Sequence, residues 1–598
     1  MDGLLKRTGS LIKKFFSDGR MLAIWIITTL LIPNAVLPFT EGWSWPDSIA
    51  GFLMAGGTYM ILTSLIKRVG LTAWFMLPFM ILAAFQIVLL NLYGRGLIAV
   101  DMFLNVFTTS FSEATILLRN LVGALCLVGL LYVTALVWGA VGMAKHLRLD
   151  TGFRRLLRVI GLAAFGIGLA VSAIISIVDP AYDFTLTTFP VNVCDNLLEA
   201  RLRTRQFAEY GETSRNFTYS AKSMAPADRR EIYVGVVGET SRGENWQLGG
   251  YGRETNPRLS RQPGLTYFPR AFSESNTTHK SVPLLISAAS AQAFDSIYCY
   301  KSMITAFKEA GYKTAFFSNQ TPNRSYTQFF GDEADVTRYI SGNAPGKAAL
   351  DTELLPLVKA ELDKHNTKQF IILHTYGSHF LYSDRYDREQ AYFMPDDIPD
   401  ADAAFRNRII NAYDNSIRYT DLMLSNLIDM LRAENCRASI IYASDHGEDI
   451  FDDKRHLFLH ASPVPTARQL HVGALCWLSD SLTAVSPHAE ANLKSNAQKF
   501  VSTQKSLFNT IIELASIQTP YYREDQSLVS PTYTEPVPIY LTDRNEVIPW
   551  RDIQFRQPDI DYLNCFARIN FLQDEREPAN DMPFSFQKKI VNKTITDR

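Results

Sequence analysis

The sequence has no Cys-x-x-Cys pair and no excess of charge of either sign. Its six cysteines, Cys126, Cys194, Cys299, Cys436, Cys476 and Cys565, are scattered. That argues against a thiolate zinc site and against a dithiol redox motif. Lys plus Arg number 59 against 60 for Asp plus Glu, so the net charge is -1 and the electrostatic footprint of a nucleic-acid-binding chain is missing. No internal repeat or low-complexity tract is present, which removes the repeat architectures. Nearly all the long apolar runs lie before Pro180, and the remainder reads as a soluble chain. At 598 residues the chain is too long for one core.

What the first 180 residues do have is five apolar stretches of bilayer-spanning length, Met21–Phe39, Ile49–Ile66, Leu71–Leu92, Leu117–Ala144 and Leu157–Val178. The first lacks a small-residue cleavage site and is followed by further spans, so it reads as a retained helix and not a leader. Three basic clusters precede or join the spans: Lys6 to Arg20, Lys67 with Arg68, and Lys145 to Arg158. All three belong on the cytoplasmic side, and an odd number of spans then puts everything after Asp179 outside. Trp43 and Trp45 suit an aromatic interface belt. The expected organisation is a transmembrane domain over 1–180, a bridging linker with some helix over 181–230, and a catalytic domain over 231–598. Between the third and fourth spans, Asn105, Thr109 and Glu113 recur every four residues and would share one helix face. The ordinary explanation is the solvated face of an interfacial helix; the other is a contact for a lipid head group.

The second half is organised around Val234-Gly-Val-Val-Gly-Glu-Thr-Ser-Arg-Gly-Glu-Asn-Trp-Gln-Leu-Gly-Gly-Tyr-Gly-Arg-Glu-Thr-Asn-Pro257. Ile232–Val237 is an apolar run ended by Gly238, the mark of a strand buried on both faces. Further strands are expected at 313–319, 369–374, 438–443 and 470–478, with helices at 302–310, 352–364, 408–433 and 506–515. This alternation implies a mostly parallel sheet flanked by helices.

Potential ligands follow the strands. Glu239 stands after the first, His374 and His379 after another, and Ser444-Asp-His-Gly-Glu448 after a third. In open α/β sheets, sites form beyond the carboxyl ends of the strands. Glu239 with Asp445 and His446 makes a reasonable ligand set for a hard-to-borderline cation such as Zn²⁺. Taken alone, Glu239 would be an ordinary surface acid. The candidate nucleophile lies in Phe272-Ser-Glu-Ser-Asn-Thr-Thr-His-Lys-Ser-Val-Pro283, a hydroxyl-rich stretch leading into a helix. A helix N-terminus attracts a phosphoryl group, and a metal-bound Thr can lose its proton and attack phosphorus. Two plainer readings of the stretch are an N-cap and, at Asn276-Thr-Thr278, a glycosylation sequon.

Gly-Glu-Thr-Ser-Arg-Gly-Glu-Asn, Gly-Tyr-Gly-Arg-Glu-Thr-Asn-Pro-Arg-Leu and Ser-Asp-His-Gly-Glu together resemble the phosphoethanolamine transferases of the Gram-negative inner membrane. Those enzymes include the lipid A modifiers behind polymyxin resistance, and their catalytic domain is of the alkaline phosphatase and sulfatase type. The resemblance implies transfer of phosphoethanolamine from phosphatidylethanolamine to an envelope acceptor, lipid A or a lipopolysaccharide sugar, by a periplasmic domain. It implies one zinc ion, or two, with Glu239, Thr278, Asp445 and His446 as ligands. Thr278 would be the nucleophile, with Thr277 its neighbour. His379 and His460 would bind the substrate phosphate or a second metal, Asn105, Thr109 and Glu113 the donor head group, and Arg324 a phosphate. The lipid A enzymes flank the nucleophile with paired cysteines. Here Glu274 and Leu284 stand at those positions, so that disulfide is missing. The competing functions are a membrane-anchored metal-dependent phosphatase or phosphodiesterase, a glycerol phosphate transferase, and a non-enzymatic receptor or assembly factor.

Overall fold

The computed structural model describes residues 15–105, 121–179, 182–226, 229–322, 325–341 and 349–566. The chain divides into two compact units, 1–202 and 203–598. One helix, Val191–Thr213, runs across the division, where sequence suggested a bridging segment with a surface helix.

The first unit is helical. Among the described residues, four helices are long and apolar enough to cross a membrane, Gly19–Glu41, Trp45–Leu65, Val122–Ala144 and Thr151–Val178. The third expected span is a bent pair, Val69–Phe75 and Leu77–Tyr93, with 55° between the halves. Pro78 lies just past the bend and has no N–H to continue the first helix. Counting that pair as one span brings the number to five. Apolar side chains face outward on these helices, Ile177 at 82% and Ile174 at 61% exposure. That is the signature of a surface whose solvent is lipid. Thr151–Val178 packs closely on Trp45–Leu65. A Cβ on Gly57 would stand 2.6 Å from the Gly161 carbonyl oxygen, so only glycine allows the approach.

Basic residues from three separate segments of this unit come together at one place. Arg20 pairs with Asp150 at 2.7 Å. Arg68 bridges Arg148, and the Leu149 N–H donates to the Lys67 carbonyl at 3.0 Å. Arg154 donates to the Ser64 carbonyl at 2.8 Å. At another loop, Glu41 accepts the Gly96 N–H at 2.7 Å.

The second unit is built on a seven-stranded sheet. Its strands in chain order are β1 Glu231–Gly238, β2 Leu265–Tyr267, β3 Lys313–Ser318, β4 Val336–Tyr339, β5 Lys368–His374, β6 Arg437–Ser444 and β7 Ala474–Leu478. The spatial order is β2-β7-β6-β1-β5-β3-β4. The five strands from β6 to β4 are parallel, and β7 runs antiparallel to both β6 and β2. The expected mostly parallel α/β domain is what forms. β1 is the middle strand and is covered on both faces, which is why its sequence is an unbroken apolar run. Three helices matter below: α1 Thr278–Leu285, α2 Arg406–Ala433 and α3 Thr503–Leu514.

One local expectation changes. The segment expected as a strand from Leu470 begins at Ala474, because Thr466 caps a helical turn over Ala467–Leu470 by accepting the Gln469 N–H. The tail beyond Pro520 contains a hairpin, Ile539–Leu541 with Val547–Pro549, and a helix, Gln557–Asn564. Pro558 opens that helix, where its missing N–H costs nothing.

Candidate active site

Register alone brings the first two candidate ligands together. β1 and β6 run parallel with Gly238 beside Ser444. Each strand ends one residue before a carboxylate, so Glu239 and Asp445 leave the sheet side by side. The Asp445 N–H donates to the Gly238 carbonyl at 3.1 Å, and Asp445 Oδ1 accepts the Thr240 N–H at 3.1 Å. His446 follows at once. One ligand atom from each of Glu239, Asp445 and His446 lies within 4.8 Å of the others, and all three residues are buried.

The His446 ring is oriented by its own loop. Nδ1 lies 3.0 Å from the Gly447 carbonyl oxygen. A carbonyl only accepts, so Nδ1 carries the proton and Nε2 presents its lone pair. That lone pair is 3.3 Å from Asp445 Oδ2 and 3.5 Å from Glu239 Oε1.

Thr278 completes the cluster. It is the first residue of α1, and its Oγ1 is 3.1 Å from His446 Nε2 and 3.4 and 3.5 Å from the two Glu239 oxygens. Thr277 is the N-cap residue, but its hydroxyl does not cap the helix; it lies 3.2 Å from Ser275 Oγ. The N-cap reading of this stretch therefore holds for its backbone and not for its side chain. Asn276 is buried and donates to the Ser462 carbonyl and to Gln469, so the sequon is not open to a sugar.

The electrostatics suit a cation. Burial, and then the neighbouring Asp445, push the Glu239 carboxyl well above the usual range. Burial holds His446 down at about 4, so it is neutral and able to ligate near neutral pH. Asp445 Oδ2 is buried without a hydrogen-bond partner. Two carboxylates, a neutral imidazole and a hydroxyl around an orphaned oxygen fit a divalent ion with mixed oxygen and nitrogen ligands.

A rim of imidazoles adjoins the cluster. The His460 ring is 4.2 Å from the His446 ring and 6.0 Å from the His379 ring, centre to centre. His460 Nδ1 is 3.0 Å from Glu448 Oε2, and Glu448 also accepts from the Tyr382 hydroxyl. Burial raises the Glu448 carboxyl to about 7. His379 Nδ1 donates to the Phe380 carbonyl at 2.7 Å. His374 ends β5; its Nδ1 is 3.3 Å from Ser318 Oγ and its Nε2 is buried without a partner. Asn105 is the last residue of the helix Val100–Asn105, whereas Thr109, Glu113 and Arg324 lie outside the described residues.

Several contributors escape a reading of the sequence. Gln320 Nε2 approaches Glu239 Oε2 at 3.4 Å and donates to the Thr375 carbonyl at 3.1 Å. Asp351 accepts the N–H groups of Tyr376 and Gly377 at 2.8 and 2.9 Å and so holds the turn beside Glu239. Gly377 has φ +53°, and a Cβ there would stand 2.4 Å from the Glu239 carbonyl oxygen. Only a glycine lets that turn close. These partners are distant in the chain, so no local signal marks them.

The long motif after Glu239 is mostly a clamp. Arg242 is buried and pairs with Asp452 at 2.8 Å. Asn245, Tyr251 and Arg253 converge on Asp414 of α2 at 2.6, 3.0 and 2.6 Å. Asp421 of the same helix accepts the N–H groups of Arg258 and Leu259. The Gly-rich segment is specific because it fixes the loop against α2 and thereby aims Glu239.

All six cysteines are free thiols, in keeping with Glu274 and Leu284 beside the hydroxyl stretch.

Fold and site together define a sulfatase-type α/β domain with a buried acid–imidazole–hydroxyl cluster, in a chain that also has membrane-length helices. The family model described as Sulfatase matches residues 231–517. The chain is similar in sequence to phosphoethanolamine transferases. It is 30% identical over 318 residues to a Kdo(2)-lipid A phosphoethanolamine 7''-transferase of Salmonella typhimurium, an alignment covering 51% of this chain and 55% of that protein. The chain thus spans about half the length of the curated relatives it matches. The C-terminal periplasmic domain of EptC from Escherichia coli, solved in complex with Zn, superposes with a TM-score of 0.52 at 25% identity, covering 57% of this chain and 97% of that one. The integral membrane lipooligosaccharide phosphoethanolamine transferase A of Neisseria meningitidis shares the fold over 86% of this chain and 98% of its own, with a TM-score of 0.66 and 21% identity.

Proposed function

We propose that this chain transfers phosphoethanolamine from phosphatidylethanolamine to a cell-envelope acceptor, lipid A or a lipopolysaccharide sugar, through a covalent intermediate on Thr278. The observation that carries the reading is the placement of Thr278 Oγ1 at the start of α1, 3.1 Å from His446 Nε2 and against Glu239. The names of the relatives supply the transferred group and the acceptor class. In this reading residues 1–180 sit in the inner membrane, 181–230 bridge, and 231–598 work in the periplasm.

Glu239, Thr278, Asp445 and His446 would hold one zinc ion, which when bound lowers the proton affinity of a hydroxyl and offsets charge on phosphoryl oxygens. Thr278 Oγ1 attacks phosphorus as the bond from phosphorus to the diacylglycerol oxygen breaks, and diacylglycerol leaves with a proton. A phosphoryl group bound to Thr278 would lie at the N-terminus of α1, the helix end that favours an anion. In the second half an acceptor oxygen attacks the same phosphorus, the Thr278–phosphorus ester breaks, and Thr278 regains a proton. His379 and His460 position the phosphoryl group or a second ion, and Glu448 fixes the His460 ring. Asn105, Thr109 and Glu113 bind the donor head group. Because phosphoryl transfer depends mostly on alignment and charge stabilisation, this set suffices.

The test is full-length protein in vesicles containing head-group-labelled phosphatidylethanolamine and lipid A. Label should move to lipid A, and the peptide carrying Thr278 should gain the mass of one phosphoethanolamine. Release of the label to water as the main product would instead mean a phosphodiesterase.

A further inference from the structure

Where Trp45–Leu65 ends and Thr151–Val178 begins, the first unit gathers more positive charge than it neutralises. The two acids there are committed. Asp150 pairs with Arg20 at 2.7 Å and accepts the Phe153 N–H, and Asp18 accepts the Arg20 N–H. Arg154 is held by the carbonyls of Ser64 and Leu65 at 2.8 and 3.1 Å. Lys67, Arg68, Arg148 and Arg158 are left. All four are exposed, and none forms an ion pair among the described residues.

Two of them face each other. Arg68 and Arg148 are opposed in an antiparallel bridge, which the Leu149 N–H fastens by donating to the Lys67 carbonyl at 3.0 Å. Opposed residues of such a pair put their side chains on one face, and like charges so placed repel. Arg158 stands beside the same loop, with its Nε 3.4 Å from Ser64 Oγ. Basic residues at span ends orient a chain in the membrane, but that role asks only for charge and does not call for two arginines opposite one another.

We propose that this patch binds the head group of a phospholipid of net negative charge, its phosphodiester between Arg68 and Arg148 and its edge against Lys67 and Arg158. The turns next to these cations expose apolar side chains, Leu65 at 57%, Leu71 at 44%, Leu156 at 51% and Val159 at 58%. A lipid meets both features, its phosphate the guanidinium forks and its acyl chains the apolar side chains. Phosphatidylethanolamine would bring an ammonium group among these cations, so the patch is not a donor site. The proposal rests on the membrane length of the helices. It stands apart from the transfer reading, because no residue here belongs to the cluster around Glu239 and Thr278.

Native mass spectrometry of the full chain in detergent micelles tests this, with dioleoyl phosphatidylglycerol, phosphatidylethanolamine and phosphatidylcholine as probes. Phosphatidylglycerol should bind about tenfold more tightly than either of the others, or better. Arg68→Gln with Arg148→Gln should weaken it by about thirtyfold, about fivefold for each cation removed. Without lipid, that double variant should melt no lower than the parent, since a repulsion is gone. If it melts lower, Lys67→Gln with Arg158→Gln decides; it leaves the bridged pair in place and should weaken binding by about tenfold. Lys313→Gln, an exposed cation of the second unit, and Thr278→Ala should leave the affinity unchanged. The proposal is overturned if phosphatidylglycerol binds no more tightly than phosphatidylethanolamine, or if both double variants bind it like the parent. It is equally overturned if Lys313→Gln weakens binding as much, which would mean attraction to overall charge, or if Thr278→Ala abolishes it, since the lipid would then occupy the transfer site.

Discussion

Glu239 and Arg242 stand three residues apart on one loop, and both are buried. The guanidinium of Arg242 is matched within the chain: Asp452 takes two of its hydrogen bonds at 2.8 and 2.9 Å, and the Glu448 carbonyl takes another. Glu239 lies beside Asp445, and among the described residues no lysine or arginine forms an ion pair with either. A buried charge that the chain pairs for itself is scaffold. A buried like-charged pair flanked by an imidazole lone pair and a hydroxyl asks for a cation from outside.

Substitutions can break or sharpen that contrast. Thr278→Ala has the largest expected effect, a fall in transfer of about a thousandfold or more. It is read by turnover of labelled phosphatidylethanolamine, with circular dichroism showing the fold retained. Arg242→Met comes next. It leaves buried Asp452 with only the more distant Arg468, 3.8 Å away, and should destabilise the protein by about 3 kcal/mol, seen in thermal unfolding. An unchanged melting temperature would remove Arg242 from the scaffold.

Asp445→Asn should do the reverse of Arg242→Met. Zinc affinity, measured by competition with a chelator, should fall by about a hundredfold, while the metal-free variant melts above the metal-free parent because one like charge is gone. If the metal-free parent is the more stable, the electrostatic contrast fails.

Glu333 is a carboxylate of a third kind, half-buried and held by neutral donors. Ser302 Oγ and Thr305 Oγ1 donate to it at 2.7 and 2.8 Å, and Tyr210 at 3.1 Å. Burial raises its carboxyl to about 7. The folded state thus binds this proton more tightly than the unfolded chain. The stability it contributes is full below the unfolded pKa and is lost as pH rises to about 7, by on the order of 3 kcal/mol. Glu333→Gln should flatten that part of the stability profile between pH 5 and 8. The smallest effect belongs to Thr277→Val, which removes a neutral contact to Ser275 and should cost about 1 kcal/mol or less while transfer persists. Loss of transfer there would shift the nucleophile to Thr277.

Much of this was legible because it is local. Apolar runs bounded by charge and glycine marked β1, β3, β5 and β6, and the residues just past them, Glu239, Asp445 and His446, are the ones the fold gathers. The third membrane-length segment was legible as apolar, and its bend only through Pro78, which interrupts the helical hydrogen bonds without setting the 55° angle. Thr466, as a cap, shortened a strand that its apolar content had suggested. Asp351, Gln320 and the Arg242–Asp452 pair left no trace, because each acts on a residue far away in the chain.

By itself, the sequence determined that two kinds of solvent act on this chain, that a parallel sheet forms, and which residues stand at the strand ends. Those follow from side-chain periodicity and length, properties of neighbouring residues. Only the tertiary structure decided that β1 lies beside β6 with Gly238 opposite Ser444, which sets two carboxylates side by side, and that α1 begins where Thr278 Oγ1 meets His446. Strand order and helix placement are settled by packing across the whole core, and a window of neighbouring residues carries no record of that.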